Sequence, residues 1–150
     1  MTLIVRYAGD GDAEGFARVR RAALPFMLAT PEQFVFDWAR AHPDSHARPF
    51  VAVAGDGGIV GTVQLRIAHD SPEPGIGSLN VYVDPAHQGL GAGTLLLRAA
   101  EEHLAGHGAR TLYSWVLDAP EHRAWAGRRG YSPSAAVGLP LEDLQGRQPG

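Results

Sequence analysis

Val81-Tyr82-Val83-Asp84-Pro85-Ala86-His87-Gln88-Gly89-Leu90-Gly91-Ala92-Gly93-Thr94-Leu95-Leu96 carries an extended apolar run through a glycine-rich turn into a leucine-rich helix. A helix start leaves its first N–H groups without intrahelical partners, and glycines remove the side chains that would crowd them. The stretch therefore builds an anion site. The helix dipole contributes about 0.3–1 kcal/mol and each hydrogen bond to a charged oxygen about 1.5–3 kcal/mol, enough to anchor a pyrophosphate. A nucleoside-triphosphate loop of the form G-x-x-x-x-G-K-[ST] is excluded, because all thirteen basic residues are arginine. The dinucleotide fingerprint G-x-G-x-x-G fails too. Counted from Gly89 and Gly91, its third glycine would fall on Thr94, and this strand does not open the fold.

Working outward, residues 91–107 read as the strongest helix, with Ala92, Leu96, Ala99, Ala100 and Leu104 as an apolar stripe, Glu101 and Glu102 on the wet side, and Gly108 as the stop. Residues 111–117 form a strand and residues 120–128 a short helix ending before Gly130. On the amino side, residues 79–83 are a strand halted by Pro85, and residues 69–77, with Pro72 and Pro74, are a loop. Residues 50–54 and 59–68 make a hairpin around Gly55-Asp56-Gly57-Gly58. In its second arm Val63, Leu65 and Ile67 alternate with Thr62, Gln64 and Arg66, the period of a sheet with one buried face. Thr30, Pro31 and Gln33 supply the start signals of a helix carrying Phe34, Phe36 and Trp38 and stopped at His42-Pro43. Residues 13–23 form an earlier helix, with Phe16, Val19 and Ala23 inward and Arg18, Arg20 and Arg21 on solvated faces. Residues 3–7 form the first strand. The order β-α-α-β-β-β-α-β-α-(β) gives an α/β chain of the α+β type. Its mixed, mostly antiparallel sheet is flanked by about four helices, with one parallel β-α-β unit over residues 79–117.

The 150 residues fit a single domain spanning 1–150, in which 132–150 are a weak last strand and tail. A hydrophobic fraction of 45% and a charged fraction of 19% are those of a chain that packs a core. With no cysteine, thiolate metal sites and a Cys nucleophile are excluded. A formal net charge of -3 argues against nucleic acid and anionic membranes as partners. No apolar run approaches the roughly 20 residues of a membrane span, so a soluble cytoplasmic protein is expected.

The spacing Gln88-x-x-Gly91-x-Gly93, preceded by Val-x-Val-x-Pro and followed by the Leu-rich helix, resembles the acyl-CoA signature of the GNAT superfamily of N-acyltransferases. The resemblance runs from Leu3 to about Tyr131 and includes Ala124-Trp125-Ala126-Gly127-Arg128-Arg129-Gly130-Tyr131, similar to that family's terminal helix. It implies acetyl-CoA as co-substrate, no metal, and direct attack of a primary amine (a small molecule, a protein N-terminus or a lysine) on the thioester. It also implies that backbone amides around Gln88, Gly89, Leu90, Gly91, Ala92, Gly93 and Thr94 bind the CoA pyrophosphate. The edge of Val81, Tyr82 and Val83 would then pair with the extended pantetheine diamide as another strand would.

The chain departs from the family in its proton chemistry. The Tyr that many members place four residues before the closing glycine is Ala126 here. Members with a Glu base on the signature strand have no counterpart, since Ser78 and Asn80 are its polar residues. Water held by Ser78, Asn80 or Ser114 is the remaining proton route, and the catalytic residues stay unassigned. The alternative reading is a GNAT-like domain that binds acyl-CoA without turnover, as a sensor or as the degenerate half of a larger acyltransferase. His103 and His107, at i and i+4, read as solvent-facing histidines rather than metal ligands. His69, Asp70 and Glu73 read as loop polarity near where an acceptor would arrive. Phe26, Phe34, Trp38 and Trp115 read as core, and Arg128 and Arg129 as solvated. The weak last strand invites completion by a second copy of the chain, as a homodimer.

Overall fold

A computed structural model of the chain describes residues 2–115 and 120–132. The strands are β1 (Ile4–Tyr7), β2 (Phe50–Val53), β3 (Ile59–Ile67), β4 (Ile76–Val83) and β5 (Thr111–Ser114). They form one sheet in the order β1-β2-β3-β4-β5. The first three pairings are antiparallel and β4–β5 is parallel, as the alternation and the β-α-β unit require. The helices are α1 (Ala13–Ala23), α2 (Pro31–Ala39), α3 (Ala92–Gly106) and α4 (Pro120–Arg128). The expected last strand within 132–150 lies outside the described residues, apart from Ser132.

One sheet face is covered by α3, whose Leu96, Leu97, Ala100 and Leu104 pack against Ala52, Val63, Leu65 and Leu79. Of the stripe expected from the sequence, Ala92, Leu96, Ala100 and Leu104 are buried and Ala99 is half-buried, with Leu97 added. The other face is covered by α1 and α2, where Phe16 is fully buried. Its ring lies 4.9 Å from Phe34 and 5.2 Å, edge-on, from Trp38. Thr30 caps α2 by accepting from the Gln33 N–H at 3.3 Å, but the Gln33 side chain donates to Asp37 at 2.9 Å. The half of the capping signal that fixes the backbone is thus the half that forms.

Four expectations need correction. β4 begins at Ile76, not Leu79, because strand pairing extends to Ile67↔Gly77 across what the two prolines suggested was all loop. β5 ends at Ser114; the rest of the expected strand, Val116 and Leu117, lies outside the described residues. The Thr62–Gln64 face of β3 is covered as well as the Val63–Leu65 face. Thr62 is fully buried under α1, and its hydroxyl has no partner among the described residues. Phe26 is 62% exposed, since it falls after α1 has ended at Ala23.

The histidines expected to face solvent group together at the far end of α3. The rings of His46 and His107 stack at 4.1 Å, His103 lies 4.7 Å from His107, and the His103 ring Nε2 contacts the His46 carbonyl at 2.9 Å. Desolvation first, then the neighbouring His46 and His103, hold His107 below the ordinary imidazole value of 6.5. The unfolded chain takes up that proton more readily, so stability falls as pH drops from near 6.5 toward the lowered value. The Tm is therefore expected to decline between pH 7 and pH 5, and His107→Gln to make that decline shallower; an unchanged slope would refute the coupling.

Candidate active site

The site begins where two strands part. β4 and β5 pair from Ile76↔Thr111 to Leu79↔Ser114, and β4 then runs on through Asn80, Val81, Tyr82 and Val83 with no partner on that edge among the described residues. On its other edge β4 stays paired to β3 as far as Gly61↔Val83. Trp115, the residue after β5, gives its backbone N–H to the Asn80 side-chain oxygen at 2.9 Å. Beyond this fork lies a cavity of about 640 Å³, bounded by Val81, Tyr82 and Val83, by the glycine turn, and by Trp115, His122 and Trp125.

After Val83 the Asp84 carboxylate caps a short turn by accepting from the Ala86 N–H at 3.0 Å. Gly89 and Gly91 then take φ of +84° and +87°, the left-handed region that favours glycine. Gly91 is the N-cap of α3, and the first intrahelical bond runs from the Leu95 N–H to the Gly91 carbonyl at 3.1 Å. The N–H groups of Ala92, Gly93 and Thr94 therefore precede the hydrogen-bonded helix. A Cβ at Gly89 or Gly91 would meet nothing within 4 Å, so the space before these amides is open. Gly93 has a different reason. A Cβ there would lie 3.1 Å from the Trp125 ring, so its small size lets α4 dock on α3.

The α4 end carries charge to the same place. Arg129 lies over the Trp125 ring at 4.2 Å and donates to the Thr94 hydroxyl through Nε at 3.1 Å and a terminal nitrogen at 2.6 Å. Burial first, then the like charges of Arg128 and Arg98, lower its pKa. A cation beside a helix N-terminus is unfavourable for the dipole and favourable for a bound anion. Arg129 is thus not the solvated side chain expected from sequence. Nor is Arg20, which lies over the Tyr82 ring at 4.2 Å and donates to Gln64 at 2.6 Å. Tyr131, beyond α4, donates its hydroxyl to Glu101 at 2.9 Å and ties the end of α4 to α3.

A second cavity, of about 740 Å³, opens on the α1–α2 side of the fork. Gln64, Arg66, Ser78 and Asn80 line its floor, Tyr113 of β5 contributes, and Trp38, His42 and His69 belong to its walls. The His42 and His69 rings stack at 4.1 Å, joining the loop after α2 to the loop before β4. Along β4, Asn80 lines this cavity and the next residue, Val81, lines the other.

Of the ten residues singled out from sequence, Val81, Tyr82, Val83, Gln88, Gly89, Gly91, Ala92, Gly93 and Thr94 border the 640 Å³ cavity, and Leu90 does not. Sequence reading missed Trp115, His122 and Arg129. His122 had a signal, since it lies one turn before Ala126 on the same helical face. Among the described residues no group of three His, Asp or Glu side chains is placed to hold a metal ion. No helix among them is long and apolar enough to cross a membrane.

A forked sheet edge feeding a glycine-rich helix start is a place for an extended amide chain ending in an anion, and comparison with known proteins names the class. The sequence profile of the Acetyltransferase (GNAT) family matches residues 14–127. The aminoglycoside N(6')-acetyltransferase type 1 of Stenotrophomonas maltophilia is 32% identical over 127 residues, covering 80% of each chain. A GNAT family acetyltransferase from Brucella melitensis, solved in complex with acetyl-CoA, superimposes with a TM-score of 0.63 at 26% identity, over 87% of this chain and 82% of that one. A GCN5-related N-acetyltransferase from Sphaerobacter thermophilus superimposes with a TM-score of 0.71 at 22% identity, over 88% of this chain; the match spans 44% of that longer protein. The chain belongs to the GNAT acetyltransferase family. It is an acyl-CoA-dependent N-acyltransferase.

Proposed function

We propose that the protein transfers an acetyl group from acetyl-CoA to a primary amine that enters through the 740 Å³ cavity. The observation carrying this reading is the fork. β4 offers an edge from Asn80 to Val83, unpaired among the described residues, that leads to the open N–H groups of Ala92, Gly93 and Thr94. A pantetheine arm is an extended diamide that completes such an edge, and a diphosphate suits the helix start. The residues from Val81 to Val83 and Gln88 to Thr94 hold these two parts, with Arg129 adding positive charge.

The acceptor nitrogen reaches the thioester from the opposite cavity, across Asn80. The C–N bond forms as the C–S bond breaks, the sulfur leaves as thiolate, and the amine loses one proton. Holding the two reactants in one geometry supplies much of the rate. An N–H of the β4 edge polarises the carbonyl as its charge develops. Ala126 leaves the family's usual acid position empty of a proton donor, so the thiolate departs unassisted and the proton leaves through water beside Ser78 and Tyr113. The aminoglycoside acetyltransferase relative supports an amine acceptor, while the groove's mixed lining of Asp37, Arg66, His42 and His69 is not the acidic surface a polycation would select.

The test is to follow free thiol while the protein turns over acetyl-CoA with a panel of amino sugars, amino acids, polyamines and peptides with free N-termini. Thiol release above background with at least one amine is expected. Tight acetyl-CoA binding with no release for any amine would favour the non-catalytic alternative.

A further inference from the structure

We propose that Asn80 is the positioning residue that stops the β4–β5 ladder and keeps the edge of β4 open for the pantetheine arm; this rests on the acetyl-CoA reading above. The ladder has a fixed beat. The Thr111 N–H donates to the Gly75 carbonyl at 3.1 Å, and a parallel ladder repeats every two residues on each strand. The Trp115 N–H would on that beat continue the ladder to the Leu79 carbonyl. It is instead taken by the Asn80 side-chain oxygen at 2.9 Å. A side-chain amide oxygen is as good an acceptor as a peptide carbonyl, so the strand ends without leaving a buried donor unpaired.

Three further observations fit that role. Trp115 is 94% buried by its 6% exposure, so the donor that Asn80 receives is one that water cannot easily serve. Trp115 itself borders the 640 Å³ cavity, so the residue that Asn80 holds is part of the wall that an arm lying along the edge would meet. Asn80 also lines the acceptor-side cavity, next in sequence to Val81, which lines the other. Without a polar acceptor at position 80 the Trp115 N–H would turn to the Leu79 carbonyl, the ladder would gain a rung, and the fork would narrow.

The experiment compares the wild type with Asn80→Leu and Asn80→Asp. Leucine is close to asparagine in size but accepts nothing; aspartate still accepts from the Trp115 N–H. Each protein is titrated with acetyl-CoA and with adenosine 3′,5′-bisphosphate, which carries the nucleotide end but no pantetheine. Asn80→Leu is expected to weaken acetyl-CoA binding at least tenfold while binding the bisphosphate within threefold of wild type, and Asn80→Asp to bind acetyl-CoA within threefold. A general loss of fold would weaken both ligands together and would overturn the proposal, as would unchanged acetyl-CoA affinity in Asn80→Leu. If the wild type bound no acetyl-CoA, the proposed function itself would fall; if only the variants departed from expectation, that function would stand and the latch would not.

Discussion

Gly91→Glu is expected to weaken acetyl-CoA binding at least a hundredfold without unfolding the protein. Gly91 is the α3 N-cap at φ +87°, where any L side chain costs about 1–2 kcal/mol of strain. A Cβ there points into open space, so strain and not a clash is the steric part of the effect. The larger part is electrostatic. A carboxylate at the cap would take the N–H groups of the first turn for itself, as acidic capping residues do. It would displace hydrogen bonds to a phosphate worth about 1.5–3 kcal/mol each, and losing one or two of these reaches a hundredfold in Kd. Gly91→Ala carries only the strain and should lose much less. Calorimetric titration of the three proteins checks the order; equal affinities for Gly91→Glu and wild type would remove the anion site from this turn.

Phe16→Ala is expected to cost about 3–5 kcal/mol of unfolding free energy, a large share of the roughly 5–15 kcal/mol that holds a domain folded. Phe16 has no exposed surface and is the centre of the layer that α1 and α2 place on the sheet, touching both Phe34 and Trp38. Truncation leaves a void that neither ring can fill without leaving its rotamer. The same layer contains Trp38, a wall of the acceptor-side cavity, so the damage should extend to acceptor use. Urea unfolding at constant slope gives the stability loss; a shift below about 1 kcal/mol would mean the layer is not packed as described.

The parts of this protein that were legible in the sequence are those where one physical rule acts alone. The α3 stripe follows from the helical period, the β3 alternation from the strand period, and the glycine turn from the need for positive φ at 89 and 91. Gly93 was grouped with them, yet its reason is Trp125, thirty-two residues away, which no local pattern carries. Arg20 and Arg129 were misread for a similar cause. An arginine on a helix reads as solvated until a distant acceptor is brought to it, here Gln64 (with the Tyr82 ring) for Arg20 and Thr94 for Arg129, whose ring partner Trp125 is only one turn back. The fork was foreseen as an edge but not as a mechanism, because the Asn80 bond to Trp115 depends on the register between two strands separated by α3. That position 126 is an alanine is read directly from the sequence, since an absent side chain needs no fold to be noticed.

The most direct measurement is a calorimetric titration of the wild-type protein with acetyl-CoA. Saturable binding at one site per chain, competed by CoA, is the predicted result. No saturable heat across the concentrations at which other acyl-CoA-dependent acyltransferases are titrated would contradict the account.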